Sequence, residues 1–95
     1  MATIMHVGFP VKDFDQWKKA YDASIDHRKA SGELSYAVYR HTDNPNLVTV
    51  AAECRDVEEA LAFLNSPEMK AKMEEAGVEK VGPFLVMEEV ERGTH

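Results

Sequence analysis

Ninety-five residues hold one domain and not two, because independent hydrophobic cores need on the order of 100 residues each. Hydrophobic residues at 44% and charged residues at 29% exclude a disordered or fibrous chain, and a net charge of −6 works against the phosphate contacts on which nucleic-acid affinity depends. A single cysteine, Cys54, excludes an internal disulfide framework and a multi-cysteine zinc site. No run approaches 18 apolar residues, and Met1 to Val11 lacks the basic start and long apolar stretch of a secretory leader, so the expectation is a cytoplasmic protein with neither nucleic acid nor membrane as partner.

Thr3 to Val11 alternates, with Met5, Val7, Phe9 and Val11 on one face and Ile4, His6 and Gly8 on the other, which predicts a strand. Asp13, with Gln16 three positions on, predicts a helix N-terminus in which the carboxylate accepts from a first-turn amide. Phe14, Trp17, Tyr21, Ile25 and Arg28 then recur at three- and four-residue intervals, the stripe of one continuous helix closed by Gly32. Leu34 to His41 alternates again, placing Leu34, Tyr36 and Val38 opposite Ala37, Tyr39 and His41. The Asp43-Asn44-Pro45-Asn46 cluster turns the chain into a third strand, Leu47 to Cys54, as an antiparallel hairpin. Asp56 opens a second helical region carrying Ala60, Leu61 and Leu64, Ser66-Pro67 restarts it at an angle, and Gly77 ends it. Gly82-Pro83 leads into a last strand from Phe84 to Val90, and Glu91 to His95 reads as a frayed polar tail.

The order is βαββαβ, a split βαβ sandwich of the α+β class spanning residues 1–95, with both helical crossovers on one face of an antiparallel sheet. One side of every strand should then be polar, yet Ile4 stands against Met5 and Val7, Tyr36 and Val38 against Ala37 and Tyr39, Leu47 and Ala51 against Val48 and Val50, and Phe84 and Val86 against Leu85 and Met87, so the face without helices is apolar too. Exposed patches of several hundred Å² are rare on soluble monomers, so a homodimer formed through that face is expected.

Several stretches together resemble a known family: Val11-x-Asp13-Phe14-Asp15-x-Trp17-Lys18, Gly32 followed by Tyr36-Ala37-Val38-Tyr39-Arg40, the Asp43-x-Pro45 turn, and Ala60-x-x-Phe63-Leu64-x-Ser66-Pro67-Glu68-Met69. They are similar to small proteins of the dimeric α+β-barrel superfamily, in its antibiotic-biosynthesis-monooxygenase-like branch, over about Ile4 to Val90. The resemblance implies a ferredoxin-like subunit, a barrel closed across the dimer, and in each subunit a sheet–helix pocket for a small apolar or aromatic molecule. Monooxygenases of this branch use an asparagine in the first strand and a tryptophan near the end of the third. Strand register puts Val7 and Cys54 there, and neither strand contains Asn or Trp.

His6 would point at either the dimer core or the pocket, as a structural histidine of the sheet interior or as the candidate general base, since an imidazole can move a proton near neutral pH. Trp17 and Tyr21, four apart on the first helix, are expected to wall a pocket for flat ligands, joined by Tyr36 and Cys54. Arg40 would either hold an anionic oxygen in that pocket or pair with Glu53 across the hairpin. His27 and His41 read as surface residues, and the four histidines show no ligand spacing, so no metal and no cofactor is expected. Two classes stay open: an enzyme, acting as a monooxygenase or as a cofactorless isomerase or cyclase, and a non-catalytic binding or structural dimer.

Overall fold

A computed structural model describes residues 2–95. In chain order the elements are β1 (Thr3–Pro10), α1 (Phe14–Ala23), α2 (Ile25–Ala30), β2 (Glu33–Arg40), β3 (Leu47–Cys54), α3 (Val57–Leu64), α4 (Pro67–Glu75) and β4 (Leu85–Glu88). The four strands form one antiparallel sheet in the order β2-β3-β1-β4, the α+β, ferredoxin-like architecture expected from the sequence.

The helix starts follow the predicted chemistry. Asp13 accepts from Gln16 N, Asp56 from Glu58 N, and Ser66 from Met69 N with Pro67 in the first turn. Each cap satisfies an amide that has no partner within the helix, an arrangement worth about 1 kcal/mol. The continuous helix expected from Phe14 to Gly32 is instead two segments. At Ser24 the backbone N–H and the hydroxyl both donate to the Tyr21 carbonyl oxygen, at 3.2 and 2.7 Å, and α2 begins on the next residue. A serine hydroxyl bonded back to the preceding turn competes with the regular ladder, and here it breaks it.

Alternation along each strand assigns the two faces. Met5, Val7 and Phe9 of β1, Val48, Val50 and Cys54 of β3, and Val38 of β2 face the helices. The core on that face is split. One cluster gathers Val11, Trp17, Val48, Val50 and Ala76, and the other Met5, Cys54 and Ala60.

The face of β2 departs from the expected alternation at one residue. Glu33 is paired with Cys54 and Ser35 with Glu53, so Leu34 is an extra, unpaired residue in the ladder, 60% exposed. Such a bulge shifts the side-chain phase by one position. Leu34, expected beside Tyr36 and Val38, is therefore displaced outward, and Glu33 turns toward the helices. The last strand is also shorter than predicted, Leu85–Glu88 rather than Phe84 to Val90, and pairs only with Thr3 to His6 of β1.

Gly32 delivers the chain from α2 into this bulge with φ +100°, and its carbonyl accepts from Arg55 N at 3.0 Å. A Cβ there would press on the Glu59 and Arg55 side chains and would place an L-residue in the left-handed region. Gly32→Ala is expected to lower stability by about 1–2 kcal/mol. Urea denaturation should show a lower midpoint with an unchanged slope, and an unchanged midpoint would refute this account.

Candidate functional site

Between the two core clusters lies a cavity of about 110 Å³. Its sheet side is Met5, Val7, Phe9, Val50, Ala52 and Cys54, and its helix side includes Trp17 and Tyr21 of α1, Ala60, Phe63 and Leu64 of α3, and Met69 and Met73 of α4. Val81 and Phe84 close it from the segment before β4. All of these are apolar or aromatic. Polar groups enter at one corner only, where Tyr21, Arg28, Ser31 and Glu33 meet.

The aromatic wall is continuous. Trp17 is buried and stacks on Tyr21 with ring centroids 4.9 Å apart and planes 23° from parallel, and Phe9 meets Trp17 edge-on at 5.5 Å. Tyr36 meets Tyr21 edge-on at 5.9 Å, but from outside the cavity, where it is half-exposed. Offset and edge contacts of this kind favour a fixed ring arrangement beyond simple burial.

Arg28 organises the polar corner. Its guanidinium carbon sits 3.8 Å from the Tyr21 ring centroid and 4.6 Å from that of Tyr36. Nε donates to Ser24 Oγ at 3.1 Å, and Nη2 to the Tyr21 carbonyl oxygen at 3.1 Å. Nη1 donates to Tyr21 Oη at 2.9 Å and to Glu33 Oε2 at 2.7 Å. The side chains of this ion pair are only 5% and 12% exposed. Burial pushes the Tyr21 hydroxyl well above the usual phenol range against the opposing pull of Arg28, so the phenol stays protonated. Burial likewise raises the Glu33 carboxyl, and Arg28 only partly offsets it. Cys54 is raised by burial, with the Glu33 and Glu53 charges adding, which keeps it a thiol rather than a nucleophilic thiolate.

The predicted pocket residues are thus partly gathered. Trp17, Tyr21 and Cys54 line the cavity, and Tyr36 supports it from behind. Two expectations need correction. His6 alternates with Met5 and Val7 and is paired with Ala51 and Leu85, so it lies on the helix-free face, where strand geometry denies it access to the cavity. Arg40 does not line the cavity either. It is paired with Val48, and its guanidinium carbon lies 4.6 Å from the Phe14 ring centroid, while Glu53 stands on the opposite face beside Ser35. His27 and His41 are exposed, and no group of three potential metal ligands occurs among the described residues.

Sequence reading placed Arg28 on the buried stripe but missed its partner Glu33. The available signal was the stripe itself: a guanidinium on an apolar face requires an acceptor, and Glu33 is the first carboxylate after it.

The pair generates a pH-dependent prediction. Arg28→Met leaves a buried carboxylate without its partner and should cost about 3–5 kcal/mol near neutral pH. Because the folded-state carboxyl of Glu33 is already raised, its contribution to stability is full below the ordinary carboxylate range and declines as pH rises through the folded value. Removing Arg28 extends that decline, so the deficit of the variant should shrink on acidification toward the ordinary carboxylate range. Denaturation of both proteins across that range checks the sign, and a deficit that grows on acidification would contradict it.

Three comparisons bear on this geometry. A family model described as antibiotic biosynthesis monooxygenase matches residues 12–75. No curated protein matches the chain. Among solved structures, the cofactor-independent oxygenase SnoaB from Streptomyces nogalater superposes with a TM-score of 0.73 at 12% identity, covering 97% of both chains. A conserved protein from Methanosarcina mazei gives 0.68 at 18% identity over 92% of each chain, and a Mycobacterium tuberculosis protein, Rv0793, gives 0.66 at 16% over 99% of this chain and 100% of the other. Those likenesses establish the shared fold.

Proposed function

The chain belongs to the antibiotic biosynthesis monooxygenase family, and from that membership we propose that its sheet–helix cavity takes a small molecule built on a single apolar ring, with the polar corner of Tyr21, Arg28 and Glu33 receiving that molecule's one oxygen function. The observation that carries this reading is the shape of the cavity: about 110 Å³, apolar on all sides, with its hydrogen-bonding groups confined to one corner. A dry apolar cavity of roughly 150 Å³ accepts benzene, so the space here is on the scale of one ring and not of three. The unbranched Met69 and Met73 give the α4 wall some adaptability to substituents.

The chemistry that suits this site is cofactorless. SnoaB is named as a cofactor-independent oxygenase, and its likeness to this chain is one of fold. Val7 and Cys54 line the cavity where the resemblance places the asparagine and tryptophan of oxygen-activating relatives, and neither a valine nor a protonated thiol supplies an amide or an indole N–H. That observation favours ligand binding or proton transfer over direct oxygen insertion.

The working unit in this reading is a homodimer joined through the helix-free face. Tyr39, Leu85 and Met87 of that face are 58%, 49% and 43% exposed in the single subunit, an apolar area that a second copy of the sheet would cover.

Calorimetry with phenol tests the cavity. Binding is expected in the parent protein and should weaken by at least about tenfold, 1.4 kcal/mol, in Ala60→Leu, whose larger side chain fills the void. Equal affinity in the two proteins would place the ligand elsewhere. For the assembly, sedimentation at micromolar concentration is expected to give twice the subunit mass, and Ala51→Lys, central on the helix-free face, to give the subunit mass with its circular dichroism intact. A parent protein that sediments as a single subunit removes the dimer.

A further inference from the structure

The bulge at Leu34 has a chemical product. It brings a carboxylate into an otherwise apolar cavity, opposite Cys54 in the ladder, and leaves that carboxylate only half engaged. Glu33 Oε2 accepts from Arg28, whereas Oε1 accepts no hydrogen bond among the described residues. No buried side-chain oxygen or nitrogen among them is both sealed and unpartnered, so Oε1 keeps some exposure in a residue that lines the cavity. Tyr21 presents the complementary group. Its Oη accepts from Arg28 Nη1 and donates to no protein acceptor among the described residues, so the hydroxyl proton is available. Because Arg28 Nη1 donates to both Tyr21 Oη and Glu33 Oε2, a base and a hydrogen-bond donor are held two hydrogen bonds apart at the same corner.

We propose that Glu33 is the proton-transferring base of this cavity and that the protein interconverts double-bond isomers of small cyclic ketones, with the Tyr21 hydroxyl holding the ketone oxygen and Arg28 positioning both groups. The proposal rests on the reading of the cavity as the ligand site. In the first step Glu33 Oε1 removes a proton from the carbon between the carbonyl and an isolated double bond. The C–H bond breaks, its electron pair forms a new C=C bond, and the carbonyl π pair moves onto oxygen as a dienolate. The Tyr21 O–H donates to that oxygen at the moment its charge develops. In the second step the Glu33 carboxylic acid returns the proton to the far carbon of the dienolate, giving the conjugated ketone and restoring the carboxylate. Nothing is oxidised overall, and the same proton leaves and returns, so no co-reactant is required.

The environment suits each role. Burial strengthens the Glu33 carboxylate as a base while Arg28 keeps it from being permanently protonated, and burial keeps Tyr21 a donor. Cys54 and the aromatic wall offer no competing strong base to the ring.

The test uses six-membered ring ketones in two arms. Cyclohexanone binding is read by the fluorescence of Trp17, the only tryptophan and a cavity residue. Conversion of the β,γ-unsaturated isomer of cyclohexenone to the conjugated isomer is read by its ultraviolet absorbance. The parent protein should bind and convert. Glu33→Gln retains an acceptor for Arg28 and should bind within about twofold, while conversion falls by at least about 100-fold. Tyr21→Phe should lower conversion by about 100-fold or more through the loss of the oxygen's donor, in a protein whose thermal transition is unshifted enough to remain folded at the assay temperature. Binding by the parent protein without conversion overturns the assignment of Glu33 and leaves the cavity reading intact. Absence of binding overturns both. Conversion that survives Glu33→Gln, or that is lost in His6→Ala instead, also overturns it.

Discussion

A guanidinium keeps its charge at every pH the protein meets, so enclosing one commits its surroundings to supply acceptors. Arg28 is that commitment in this fold. Its donors are met by Ser24 Oγ, the Tyr21 carbonyl and hydroxyl oxygens, and Glu33 Oε2, and its flat face is covered by the rings of Tyr21 and Tyr36. Three of these four acceptors coincide with a local irregularity: the interruption between α1 and α2 at Ser24, the Tyr21 carbonyl drawn into three hydrogen bonds, and the bulge that turns Glu33 inward. Desolvation of a buried ion pair offsets much of its attraction, so what Arg28 contributes is orientation more than net stability.

That orientation is possible because the hydrophobic core does not close over it. Two clusters of buried residues pack at opposite ends of the helix–sheet interface, and the gap between them is walled by side chains from β1, β2, β3 and all four helices. Filling the gap would add dispersion contacts, and leaving it open costs them. A fold that retains such a void beside a satisfied polar cluster has the ordinary layout of a ligand site, mostly apolar with a few convergent polar groups.

Most of the fold was legible in the sequence because it is written in local chemistry. Asp13, Asp56 and Ser66-Pro67 name three helix starts, Gly32 and Gly77 name two ends, and period-two alternation names the strands. The site was legible where it shares that periodicity: Trp17 and Tyr21 lie on the helix stripe, and Cys54 on the inward phase of β3. It was illegible where a local event resets the phase. Nothing in Gly32-Glu33-Leu34-Ser35 announces a bulge, and one unpaired residue exchanges Leu34 for Glu33 at the cavity. The side on which His6 lies was illegible for a related reason. Both faces of β1 are apolar, so the pattern around His6 could not say which side holds the helices, whereas Met5, buried at 4%, settles it in three dimensions.

The strand order carries a consequence for how the molecule assembles. Only β2 and β3 are neighbours both in sequence and in the sheet, and β1 pairs with two strands that arrive much later in the chain. Closing those long loops costs entropy before any contact repays it, so topologies of this kind fold more slowly than ones built from local pairs. The hairpin carries Glu33 and Cys54, while Met5 and Phe84 come with β1 and the approach to β4. The cavity is therefore closed by distant parts of the chain meeting, and an occupant that bridges them would favour the folded state by mass action, acting as a late brace on the route to the native structure.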